Sequence, residues 1–196
     1  AGAAIRRAFA SLRRSMAEQG FEMLVLDTKT PHRHVDGEYG DRRDSCEEAS
    51  RILGVAALRD VTDLVDALDR LDDETLRRRV RHVVTENERV LRAFELAKAG
   101  DLAALAPLLD ASHASMRDDY EITAPTVDLA VEAAREAGAL GARMTGGGFG
   151  GCIIALTQAG EADRIGRAVA RAFADAGYGA PEWFSVTPAP GAGRLA

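Results

Sequence analysis

The sequence predicts an α+β domain of the ferredoxin-like, split-βαβ class, with an antiparallel sheet and extra helices. Three observations carry this. Apolar periodicity runs in the order strand, helices, strand, strand, helix, strand, the arrangement of a split βαβ unit. The middle of the chain, from Tyr39 to Gly138, keeps a helical period throughout. The two middle strands are joined by Thr145-Gly146-Gly147-Gly148-Phe149-Gly150-Gly151, a glycine-rich hairpin whose backbone must adopt conformations or close approaches that a Cβ forbids.

In chain order, Ile5, Phe9, Leu12 and Met16 fall at helical spacing with Arg6, Arg7, Arg13 and Arg14 between them, an amphipathic lead-in helix over 1–20 closed by Gly20. The domain proper then runs over 21–196. Glu22 to Thr28 reads as a strand whose near-continuous apolar middle predicts burial on both faces. Thr30 to Gly37 is a loop, marked by Pro31 and the Asp36-Gly37 turn pair. A helix follows with Tyr39, Arg43, Cys46, Ala49 or Ser50, and Leu53 on one face, ended by Gly54. Asp60 to Asp63 supplies caps for a short helix carrying Leu64, Leu68 and Leu71.

From Asp73 to Ala99 the positions Leu76, Val80, Val83, Val84, Val90, Leu91, Phe94 and Ala97 keep the helical period, with Gly100 as the stop. Asp101 caps a further helix with Leu102, Leu105, Leu109 and Met116 inward. Pro107 should break it, because an interior proline costs about 3 kcal/mol. Pro125 suits the first turn of a helix through Val127, Val131 and Ala134 to Gly138. Ala139–Thr145 and Cys152–Leu156 are strands, and 160–176 is a helix with Ala162, Ile165, Val169 and Phe173 inward. Glu182–Val186 is the closing strand, and Pro188 to Ala196 is a tail of small residues.

The 196 residues suffice for one domain with a real core, and the 46% hydrophobic content fits a soluble globular protein. Lys plus Arg total 25 against 31 Asp plus Glu, so the net charge of −6 argues against a nucleic-acid partner. The run Arg77-Arg78-Arg79-Val80-Arg81 reads as a solvated helix face. Cys46 and Cys152 stand in unrelated contexts, which favours neither a zinc cluster nor a disulfide and points to a reducing cytoplasm. No run approaches the ~18 apolar residues of a membrane span, so no membrane partner is expected. His32, His34, His82 and His113 lack metal-ligand spacing, so no metal site is expected either.

The glycine loop is the one stretch with a chemical reading, because inward N–H groups can hold an anion. It lacks the Gly-Lys-Ser/Thr ending of a phosphate loop, and it joins two strands instead of opening a helix. Taken as residues alone, Tyr39 is a packing residue at the edge of a core, His32, His82 and His113 are structural or surface histidines, and Cys152 is a small buried apolar residue. Asp118 and Asp119, about 100° apart on a helix, are suited to capping or hydration and not to a catalytic carboxylate pair.

Met144 to Cys152 resembles the third motif of the GHMP small-molecule kinases, and the segments around it resemble the galactokinases within that family. Those segments are Asp36-Gly37-Glu38-Tyr39 with Arg42-Arg43 and Cys46-Glu47, then Arg81 to Asn87, then Ser112-His113 followed by Arg117-Asp118-Asp119-Tyr120-Glu121. The resemblance runs from about Glu22 to the C-terminus. It implies ATP-dependent phosphorylation of the C1 hydroxyl of galactose, with magnesium, in a site built between two domains. It also implies that Tyr39 contacts galactose and that the loop from Thr145 to Gly151 lets backbone approach the phosphate loop and the reaction centre. The family's Gly-Glu-His-Thr-Asp-Tyr signature, Ser-rich phosphate loop and catalytic Asp with its Arg partner stand upstream of the matched segment and have no counterpart here. No catalytic or metal-binding residue is therefore assigned to this chain, and an N-terminal kinase domain is the implied partner.

Residues 1–20 do not resemble the family, and Pro31 stands where the family has an arginine before the histidine. The chain alone is expected to lack kinase activity, and the alternative is a non-catalytic sugar or nucleotide sensor of the same fold. The face left by the missing half is expected to be apolar, driving self-association or covered by Phe9, Leu12 and Met16.

Overall fold

The computed structural model describes residues 16, 18–30 and 35–186. The expected positions of Ile5, Phe9 and Leu12, the His32 to His34 loop and the tail from Pro188 lie outside the described residues. Strand β1 (Phe21–Asp27) is followed by α1 (Val35–Leu53), a single 3-10 turn at Leu58–Asp60, α2 (Leu64–Asp69) and the long α3 (Glu74–Ala99). Then come a 3-10 turn at Ala103–Leu105, α4 (Ala106–Ser115) and a π-turn at Met116–Tyr120. The chain closes with α5 (Pro125–Glu136), β2 (Gly141–Thr145), β3 (Cys152–Gln158), α6 (Ala162–Asp175) and β4 (Glu182–Val186).

The sheet order is β2-β3-β1-β4 with antiparallel pairing throughout, the order of the ferredoxin-like class. Leu26 lies opposite Ile153 on one side and Trp183 on the other, while Met144 lies opposite Ile153. One face of the sheet, with Leu24, Leu26, Ala142, Met144, Ile153 and Ala155, is fully buried against α5 and α6 through Val127, Val131, Ile165, Val169 and Phe173. This corrects the expectation of burial on both faces of β1. Val25 and Ile154, on the opposite face, are only half-buried, because α4 and its neighbours cover that face at Leu156. At the near end of that second face Met16 is buried with Leu102, Ala106 and Leu156.

Local chemistry sets the helix ends. The Asp63 carboxylate accepts the Asp66 N–H and the Asp73 carboxylate accepts the Leu76 N–H, while Gly100 closes α3 at φ +79°. Pro107 stands in the first turn of α4, so the anticipated break falls between Leu105 and Ala106. One expectation needs correction. Asp36 and Gly37 lie within α1, because Gly37 is not among the glycines held at positive φ that a turn there would require. Val90, Leu91 and Phe94 are 59%, 68% and 51% exposed, since α3 packs on α1 and α2 only through Leu76, Val80, Val83 and Val84.

Candidate functional site

The glycine loop is built by demand on φ. Gly146, Gly148, Gly150 and Gly151 sit at +102°, +93°, +137° and +84°, and Phe149 joins them at +61°. Those values suit glycine and strain any other residue. Two of the glycines also meet close neighbours. A Cβ at Gly148 would press on Ile122 at 3.0 Å, and one at Gly150 would press on the Thr30 carbonyl at 3.1 Å.

The loop is tied down on three sides. The Thr28 N–H and Oγ1 both donate to the Gly151 carbonyl, at 3.1 and 2.7 Å. Thr30 Oγ1 lies 2.6 Å from Thr126 Oγ1 at the start of α5, and the Phe149 N–H donates to the Ile122 carbonyl at 2.6 Å. Arg42 of α1 closes the third side. Its Nε and Nη2 donate to the carbonyls of Tyr120 and Glu121, both at 2.8 Å, and its guanidinium lies 5.7 Å from the centre of the Phe149 ring. The strand that feeds the loop is pinned as well, with the Ala142 N–H on the Asp110 carboxylate and the Met144 N–H on His113 Nδ1. Its proton therefore sits on Nε2, which faces Asp128 Oδ1 at 3.2 Å without the alignment of a hydrogen bond.

Tyr39 stands on the first turns of α1, 59% exposed, at an open cavity of about 660 Å³ also lined by Arg42, Arg43, Cys46, Asn87 and Tyr120. No glycine-loop residue lines that cavity. Arg42 is the side chain that touches both places.

The arginine run corrects its reading as a solvated face. Arg79 is only 2% exposed, and its Nη2 pairs with Glu121 at 2.7 Å while its Nη1 donates to the Asp119 carbonyl. Arg78 pairs with the other Glu121 oxygen at 2.8 Å, Arg81 pairs with Asp119 at 3.0 Å, and Arg77 Nε donates to the Leu68 and Leu71 carbonyls. The π-turn presents these partners, and Glu121 leaves it at φ +55°. Between Asp119 and Glu121, the Tyr120 ring stacks on His82 at 4.4 Å. Asp119 is thus an ion-pair partner and accepts from Ser115, while Asp118 is the surface carboxylate, paired with Arg117.

Burial drives the His82 pKa down to about 4, so its imidazole stays neutral near neutrality. Burial also raises the Tyr120 phenol and the Cys46 thiol, whose oxygen and sulfur lie 3.7 Å apart. The Arg79 guanidinium holds Glu121 below the usual carboxylate range. Burial pushes Glu86 up, but Ser112, Arg89 and Arg143 outweigh it and leave Glu86 below its ordinary value. Cys152 is half-exposed, not buried, at the mouth of β3.

Residues 93–175 match the family model "GHMP kinases C terminal". The galactokinase of Streptomyces coelicolor is 52% identical over 183 residues, covering 92% of this chain and 47% of that protein. The crystal structure of Lactococcus lactis galactokinase complexed with galactose superposes with a TM-score of 0.83 at 33% identity, covering 90% of this chain and 47% of that one. The chain carries a GHMP kinase C-terminal domain. L. major mevalonate kinase, at 19% identity and a TM-score of 0.54 over 86% of this chain, shares the fold alone. The chain spans about half the length of the curated galactokinases it matches.

Within the GHMP C-terminal domain, sequence reasoning singled out as site candidates Tyr39 and the loop Thr145, Gly146, Gly147, Gly148, Phe149, Gly150 and Gly151. The structure puts them at separate places joined through the π-turn. The parts it missed are Thr28, Thr30, Arg42 and Ile122, which hold the loop. One signal for Arg42 was available, since Tyr39 and Arg42 are three apart and share a helix face.

Proposed function

We propose that this chain is the C-terminal part of a kinase that transfers the γ-phosphate of ATP to the C1 hydroxyl of galactose, with Tyr39 as a sugar contact and Thr145–Gly151 as a wall of the site. The observation that carries the reading is the 52% identity to a galactokinase across 92% of the chain. The loop geometry supports it. Phosphoryl transfer depends mainly on positioning and charge stabilisation, and a rigid backbone wall without side chains lets a second domain's phosphate loop come close.

In this reading the proton acceptor and phosphate loop belong to an upstream half. Among the described residues no group of three or more His, Cys, Asp or Glu side chains could hold a metal ion, and no step is assigned to magnesium. Among the described residues no helix is long and apolar enough to cross a membrane, and we take the cytoplasm as the place of action. The comparisons do not favour the non-catalytic alternative.

The test is a coupled ADP-release assay. The chain alone should show no galactose-dependent turnover, and the chain fused to the upstream half of the Streptomyces coelicolor relative should show it. Turnover by the chain alone, or an inactive fusion that is folded, would refute the reading.

A further inference from the structure

Arg42 is the side chain through which three otherwise separate elements meet. It rises from α1 one turn after Tyr39, so both occupy one helix face. Two of its nitrogens, Nε and Nη2, donate to consecutive carbonyls, those of Tyr120 and Glu121, where the π-turn exits through a left-handed residue. At the next residue, the Ile122 carbonyl accepts the Phe149 N–H, and the Ile122 side chain packs under Gly148. The guanidinium also faces the Phe149 ring. Phe149 is itself a non-glycine residue at positive φ, a conformation that persists only where neighbours over-determine it. A planar fork that satisfies two carbonyls and still presents a face to a ring is a property of arginine and not of lysine.

We propose that Arg42 is a positioning residue that locks the helix carrying Tyr39 to the glycine loop, so that the sugar contact and the loop wall form one rigid unit. The proposal rests on the functional reading above for the role of Tyr39, and on geometry alone for the lock. Arg42 is given no part in the chemical step. It acts through Tyr120, Glu121 and Phe149.

Two measurements test it. In the 196-residue chain, amide hydrogen exchange followed by NMR should speed up at Phe149 at least about tenfold in Arg42→Gln, while Leu24 and Ile153 in the sheet keep their rates. Arg42→Lys should give an intermediate rate, and it carries the measurement if the glutamine variant does not fold. Unchanged exchange at Phe149, or acceleration of Phe149, Leu24 and Ile153 by one common factor, overturns the lock. In the fusion with the upstream half, Arg42→Gln should raise the KM for galactose at least about tenfold and leave the KM for ATP within about twofold. Equal rises in both overturn the positioning role. A folded fusion with unsubstituted Arg42 that turns over no galactose overturns the functional reading instead, and the exchange rates then decide the lock by themselves.

Discussion

The two halves of the molecule are held together by different physics. The sheet with α5 and α6 is an apolar interior in which Phe173, Ile165, Leu24 and Ile153 are wholly buried. The junction between α3 and the π-turn is ionic, with Arg78, Arg79 and Arg81 clasping Asp119 and Glu121, and His82 stacked on Tyr120. An apolar core gains from every buried methylene and tolerates exchange of similar shapes. An ionic junction gains little net energy but penalises the loss of any one partner, because the other is left unpaired. Arg78 Nε and Arg79 Nε, buried with no acceptor among the described residues, show that the junction already carries a desolvation cost. What it provides is geometry, since the same segment supports Phe149.

The sharpest contrast comes from truncating one side chain in each half. Phe173→Ala should cost about 3–5 kcal/mol in urea unfolding followed by circular dichroism, and Phe173→Leu should recover more than half of that loss. A loss under about 1 kcal/mol would break the picture of a single apolar core. Arg79→Met comes next, at about 2–3 kcal/mol, because Glu121 is partly solvated and its stranded charge can hydrate. Here a conservative Arg79→Lys should recover little, since it cannot reach both Glu121 and the Asp119 carbonyl. Recovery equal to that of the phenylalanine site would erase the distinction between the halves.

The smallest effect is a pH slope. His82 has a folded pKa of about 4 against about 6.5 when unfolded, so between those values the unfolded chain binds the extra proton. Stability is therefore complete above about pH 6.5 and falls as the pH drops toward 4, by on the order of 2 kcal/mol. His82→Gln should flatten the slope between pH 6.5 and 5, above the range where Glu86 and Glu121 titrate. An unchanged slope would remove His82 from the junction's account.

The same contrast explains what could be read from the sequence. The apolar half was legible nearly residue by residue. Glu182–Val186 was read with its observed bounds, and Ala162, Ile165, Val169 and Phe173 are buried as the period required. The cap at Asp63 was legible because it acts within three residues. The ionic junction was not, because Arg79 and Glu121 are 42 residues apart and nothing local distinguishes a paired arginine from a solvated one. The stripe Val90, Leu91 and Phe94 keeps the helical period as read, and it stays exposed because its partner elements end too soon to cover it. In the site, the glycines announced their strained loop, while its supports at Thr28, Thr30 and Ile122 are ordinary residues made special by where the fold puts them.

Trp183 is the one tryptophan in the sequence. Its ring lies against Gly166 of α6 so closely that a Cβ there would overlap it, and its Nε1 donates to Asp163 at 3.1 Å. The consequence is optical. Tryptophan emission from this protein, excited where its three tyrosines do not absorb, reports a single seam, between α6 and the edge strand β4, and is blind to the layer of α1, α2 and α3. Emission and far-ultraviolet ellipticity followed on one sample thus compare that seam with the helices of the whole molecule, with no label attached.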